Sequence, residues 1–361
     1  MLRGLVGVVS GLTLLLAMSA CGQSVSTPSG EDAPAASDVR TNRQGVSIPL
    51  RVTENHGLTT TMVSVGGGPK IPVVVDTGSS GLRVFASKVG SEVSRTGTTF
   101  PTGYQGGWVM DSEHAMAPLT FSGVSSAGRV PITVWDSVRC EEAAVGSECN
   151  LDESLPPAES FYESTQAYGI LGIGLAPDEQ GSTPNPLPYV SASFSAYTIA
   201  LDSDANGTLT SGLLPSYEVQ YSLEKVDPAS VNAPDPPSDV SYWRDNDLQA
   251  CFSFSPNKSE CQKTMFDTGA SSMYPTTNLP GAPRVAPGDP LNGTTLYFFG
   301  NDPDSVSPIW EVTGAMTTDR IMVIRDPDQG APQMVIGRPI FTAYSFGYDL
   351  GNGAIQMTKQ Q

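Results

Sequence analysis

Ile71-Pro72-Val73-Val74-Val75-Asp76-Thr77-Gly78-Ser79-Ser80 and Lys263-Thr264-Met265-Phe266-Asp267-Thr268-Gly269-Ala270-Ser271 are one string used twice, once in each half of the chain. Each is an apolar, β-prone run ending in Asp-Thr-Gly and small residues. One Asp-Thr-Gly arises by chance in about one chain in ten of this length, and two in matching contexts far more rarely. A strand that delivers Asp into a tight turn puts a carboxylate in a partly desolvated place, which raises its pKa. Gly78 and Gly269 let the backbone turn sharply and admit a close neighbour. Thr77 and Thr268 can hydrogen-bond across to the opposite loop and lock the two together. Two such carboxylates a few ångströms apart cannot both ionise, so they share one proton. The ionised member then takes a proton from water while the protonated one polarises a carbonyl, which suffices for amide hydrolysis without a metal or a covalent intermediate. Asp76 and Asp267 are therefore the expected catalytic pair, with Thr77, Gly78, Ser79, Thr268 and Gly269 as supporting loop residues.

The rest of the composition narrows the field around that pair. With 37 Gly and 30 Pro in 361 residues, helical bundles and coiled coils are excluded, because both residues interrupt helices. The 39% apolar content is too high for a disordered chain. A net charge of −18 argues against nucleic acid and anionic lipid surfaces as partners. Two histidines, His56 and His114, leave little for a multi-His metal site or a Ser-His-Asp triad. No metal and no cofactor is expected, and carboxylates are the agents left. Short β-rich runs recur at Val46 to Val52, Thr60 to Val65, Ile71 to Val75, Val130 to Val134, Tyr197 to Leu201, Ile321 to Ile324 and Met334 to Ile336, separated by turn clusters. The fold class expected is mostly β. The Pro- and Asp-rich stretch Val226 to Val240 reads as an exposed loop, His114 as a solvated loop residue, and Trp108, Trp135 and Trp243 as packing residues.

The N-terminus reads as an export signal. Arg3 precedes an apolar stretch, Gly4 to Ala20, shorter than the roughly 20 residues of a membrane-spanning helix and ending in small residues. Cys21 follows directly, and Leu16-Ala17-Met18-Ser19-Ala20-Cys21 resembles the bacterial lipobox, in which the new N-terminal Cys carries lipid; Met18 stands where that motif usually has Leu. The resemblance implies residues 1–20 as signal peptide, lipidation (palmitate included) at Cys21, and an exported protein held at the cell envelope on the extracytoplasmic side. Residues 21–45, rich in Ser, Ala, Pro and acid, read as a disordered tether. The tether is too short and too acidic for a basic inhibitory prosegment. The other four cysteines, Cys140, Cys149, Cys251 and Cys261, allow three connectivities. The two local pairs, Cys140 with Cys149 and Cys251 with Cys261, are favoured over metal ligation, since neither spacing is a zinc clip and no His lies near.

Beyond the tether, the sequence resembles the pepsin-like aspartic proteases. Asp76-Thr77-Gly78-Ser79-Ser80 matches that family's first active-site string. Tyr104-Gln105-Gly106-Gly107-Trp108 is similar to its flap, which implies substrate contacts at Tyr104, Gly106 and Gly107. Tyr168-Gly169-Ile170-Leu171-Gly172-Ile173-Gly174 resembles the segment crossing beneath the first loop. Met334-Val335-Ile336-Gly337 through Phe346-Gly347-Tyr348-Asp349 to Ala354-Ile355 resembles the closing segment, and Cys251 with Cys261 stands where the family often has a small disulfide loop. The resemblance implies a bilobal fold with the active-site cleft between two β lobes, 46–201 and 202–361, acting as a monomer on peptide or protein substrates. Two departures stand out. Arg83 occupies the place of the Trp that usually supports the flap Tyr, and Ala270 replaces a Ser or Thr, leaving the two carboxylates electrostatically unequal. The rival readings are a non-catalytic binder of a peptide or surface partner on the same fold, and a carbohydrate-processing enzyme with paired carboxylates, for which the twin Asp-Thr-Gly symmetry has no reason to exist.

Overall fold

The strand Lys70–Asp76 is buried along nearly its whole length, and so are Ser80–Phe85 and Gly169–Ile173 beside it. Their Val, Ile and Leu side chains suit a place covered on both faces, where a run of apolar residues replaces the usual alternation. Gly169–Ile173 lies between the other two, parallel to Lys70–Asp76 and antiparallel to Ser80–Phe85, with Gly172 opposite both Asp76 and Gly81. The computed structural model describes residues 45–54, 57–104, 107–141, 149–177, 183–202, 206–228, 237, 239–284, 290–315, 321 and 334–360. The signal, Cys21 and nearly all of the tether lie outside them, as do His56 and Gly106.

The same motif recurs in the second half. Glu260–Phe266 runs parallel to Met334–Ile336, which pairs antiparallel with Met273–Tyr274. In each half a backbone N–H just past the crossing strand donates to the carbonyl three residues beyond the Asp. Gly174 does so to Ser79 and Arg338 to Ala270, both at 2.8 Å. The chain is mostly β, in a β-rich bilobal arrangement.

Around these motifs the strands among the described residues form one sheet of 15 strands and one of six, with a separate two-stranded pair. The large sheet is shared between the halves. Tyr344–Asp349 pairs with Ala196–Leu201, which pairs with Asn206–Ser211, which in turn pairs with Ser47–Val52 near the N-terminus. Alternating burial along Ser47–Val52 and Ala196–Leu201 shows strands with one covered face. The principal core collects Val63, Val73, Leu82, Leu171, Tyr197, Phe266, Phe346 and their neighbours. A smaller aromatic cluster gathers Phe85, Trp135 and Phe161, against which Tyr104 and Trp108 pack.

Both local disulfides are formed, Cys140 with Cys149 and Cys251 with Cys261. Cys251 and Cys261 face each other across the pair Leu248–Ser253 and Glu260–Phe266. One expectation needs revision, and one is met only in part among the described residues. His114 is not a solvated loop residue but sits within the strand Trp108–Ala117, half-buried, with its ring 4.5 Å from that of Phe100; burial lowers its pKa. Of the expected strand Ile321 to Ile324, Ile321 makes an isolated bridge with Met273, and the other three positions lie outside the described residues.

Candidate active site

The two Asp-Thr-Gly loops meet tip to tip through their threonines. The Thr77 hydroxyl donates to the Phe266 carbonyl at 2.8 Å and accepts the Thr268 N–H at 3.0 Å. Thr268 returns both bonds: its hydroxyl donates to the Val75 carbonyl at 2.7 Å and accepts the Thr77 N–H at 3.2 Å. Both threonines are buried, so each hydroxyl satisfies two backbone groups that would otherwise be stranded away from water. This reciprocal lock sets the spacing of the carboxylates.

The glycines allow the close approach. A Cβ on Gly78 would lie 2.6 Å from the Asp267 carboxyl carbon. A Cβ on Gly269 would lie 2.9 Å from Asp76 Oδ1 and 3.0 Å from Asp267 Oδ1, so both carboxylates reach one point in space. Each Asp also accepts the N–H two residues on: Gly78 to Asp76 at 2.8 Å and Gly269 to Asp267 at 2.7 Å.

The pair is not symmetric. The Ser79 hydroxyl donates to Asp76 Oδ2 at 2.5 Å, while the matching position beside Asp267 is Ala270, which has no hydroxyl. The Asp267 carboxyl is raised well above the usual carboxylate range. Loss of solvent is the main cause, followed by the charge of Asp76 and a hydrogen bond shared with it; the Gly269 and Gly78 N–H groups oppose the rise. Asp267 keeps partial surface exposure as a residue. Its carboxyl is nonetheless enclosed by the opposite loop, and enclosure governs its ionisation.

Sequence reasoning missed a third carboxylate. Asp245 follows the short strand Tyr242–Trp243 and accepts the Leu175 N–H at 2.5 Å, just beyond the crossing strand Gly169–Ile173. Burial first, and the charge of Asp76 in smaller part, push it up to about 6 against the pull of backbone N–H groups. In sequence it sits within Arg244-Asp245-Asn246-Asp247, which reads as a solvated charged turn, and no local signal separates it from its neighbours.

Tyr104 stands at the tip of a long hairpin formed by Ser94–Gly103 and Trp108–Ala117, closed by the Gly107 N–H to the Tyr104 carbonyl at 2.9 Å. Its ring packs edge-on against Trp135, and the Arg83 guanidinium lies 5.7 Å from the ring centre. Gly107 is part of this tip, and Gly106 lies outside the described residues. Among the described residues no group of His, Cys, Asp and Glu is arranged to hold a metal ion.

A family model described as the PE-PGRS C-terminal aspartyl peptidase-like domain matches residues 46–212. No curated protein is found to match the chain. The matched segment holds Asp76 and Tyr104 and ends before Asp267, so the second loop stands on its own geometry. Over residues 46–212 the chain is thus similar to an aspartyl peptidase-like domain.

Proposed function

We propose that this chain is a pepsin-like aspartic endopeptidase. The observation that carries the reading is the threonine lock, which brings two enclosed carboxylates to one point. A water held between them would lose a proton to ionised Asp76 as its oxygen attacks the peptide carbonyl. Protonated Asp267 donates to the carbonyl oxygen as charge develops there. Collapse of the tetrahedral adduct breaks the C–N bond: the proton taken by Asp76 passes to the leaving nitrogen, and one hydroxyl of the adduct returns its proton to Asp267 as the new carboxyl forms. The raised carboxyl of Asp267 supports its part as the acid. The chain is further proposed to work at the envelope, tethered through a lipid on Cys21, on peptide or protein substrates.

The test is digestion of a peptide library by the purified chain across the acidic range, alongside Asp76→Asn and Asp267→Asn. Cleavage by the parent and its loss in both variants, with unchanged circular dichroism, is expected. A parent that binds peptides without cutting them would instead point to the non-catalytic binder, and activity surviving in either variant would sink the shared-proton mechanism.

A further inference from the structure

Arg83 is the most deeply buried charged side chain described, at 1% exposure, in a strand whose other members are apolar or small. A cation in such a place costs several kcal/mol unless neighbouring groups compensate it. Its Nη1 donates to the Ser79 hydroxyl oxygen at 3.0 Å. A guanidinium has five donors and no acceptor, so Ser79 cannot donate back. The single hydroxyl proton of Ser79 is thereby directed to Asp76 Oδ2, 2.5 Å away. A carboxylate oxygen that receives a hydroxyl proton is disfavoured as the site of an acidic proton of its own. Beside Asp267 the matching position is Ala270, which has no hydroxyl to donate. The same guanidinium lies against Tyr104 at the hairpin tip, within cation–π range.

Resting on the peptidase reading above, we propose that Arg83 is a positioning residue that locks Ser79 as a donor to Asp76. Asp76 is thereby kept as the ionised base, and the shared proton is left on Asp267. A Trp at this place could support the hairpin tip and offer one indole N–H donor, but it would bring no charge. Arg83 brings both, so one side chain touches the hairpin tip and holds the donor to the base. The other titratable groups around the pair are Asp245, whose field and that of Asp76 act on each other, and Tyr348, which lies by Thr77 and feels Asp245 and Asp267.

The test uses the full chain and four variants: Ser79→Ala, Arg83→Met, Arg83→Lys and the double variant Ser79→Ala/Arg83→Met. Two readouts are taken, kcat against pH and the carboxyl carbon NMR signals of Asp76 and Asp267 across the acidic range. Ser79→Ala and Arg83→Met are each expected to lower kcat about tenfold, the scale of one lost bond to a charged group. The double variant should be no worse than either single one, because both break the same chain of bonds. In both single variants the Asp76 signal should turn from carboxylate to acid at higher pH than in the parent, and the acid limb of kcat should move with it. Arg83→Lys keeps charge and a donor, and should hold the limb near its parent position. An unmoved Asp76 signal in folded Arg83→Met, or additive losses in the double variant, would overturn the proposal. Should Arg83→Met fail to fold, Arg83→Gln takes its place, since an amide oxygen can accept the Ser79 proton and so release it from Asp76. The NMR readout needs no turnover. A parent without activity but with the Arg83-dependent shift would end the peptidase reading and leave this one standing.

Discussion

Replacing Asp245 with Asn should flatten the pH dependence of stability in the mildly acidic range. The folded chain raises this carboxyl from 3.8 to about 6, chiefly because it is withdrawn from solvent. A group whose folded pKa lies above its unfolded value favours the fold in its protonated form. Its contribution is fully present below about pH 4, declines as pH rises through about 6, and is gone above that. A gap of about two units corresponds to about 3 kcal/mol. Asn keeps an oxygen that can accept the Leu175 N–H but cannot ionise, so the variant retains the bond and loses the titration. Urea unfolding of parent and variant at a series of pH values from about 4 to about 7 would yield two stability curves. Their difference removes the background of all the other charged groups, which both share. That difference should grow with pH in favour of the variant by about 3 kcal/mol. Adding Asp76→Asn to the parent should move the step to lower pH, because one of the causes of the rise is then absent. Parallel curves for parent and Asp245→Asn would refute the reasoning, since they would mean that the carboxylate is solvated in the folded chain.

Three further outcomes are expected. Gly78→Ala places a methyl 2.6 Å from the Asp267 carboxyl carbon, so the loops must part; a loss of about 1–3 kcal/mol in urea unfolding and of the proposed peptidase activity should follow, and a variant as stable as the parent would contradict the geometry. Thr77→Val leaves the buried Phe266 carbonyl and Thr268 N–H without their partner and should cost about 2–4 kcal/mol, whereas a change confined to a few tenths would mean that the lock is absent in solution. Cys21→Ser should move the protein from the membrane to the soluble fraction without altering cleavage of a short peptide; retention on membranes after salt washing would sink the proposed lipid anchor.

The part of this protein that can be read in one dimension is the part built from local signals. The duplicated Asp-Thr-Gly strings announce themselves because strand, turn and small residues are contiguous in each copy. Runs such as Val73 to Val75 read as buried strands because unbroken β-branched stretches suit a sheet covered on both faces. Cys140 with Cys149 and Cys251 with Cys261 are each close in sequence, so the local pairing is the favoured one on sequence alone. Other features depend on what folding brings together. The polar strand Ser94–Gly103 carries no apolar alternation; it forms because its backbone pairs with Trp108–Ala117, whose other edge is held by Val130–Cys140. The joining of Tyr344–Asp349 to Ala196–Leu201 spans nearly half the chain, and hydrogen-bonding edges carry no address. Asp245 and Arg83 are the sharpest cases. In sequence one is a member of a charged turn and the other a departure from a familiar pattern. A side chain's charge is written in its residue type, but its solvation and its partners are not. Only the packing of Asp245 under Leu175 and of Arg83 against Ser79 gives those charges a role, because the energy of an ionised group is set by what surrounds it in space.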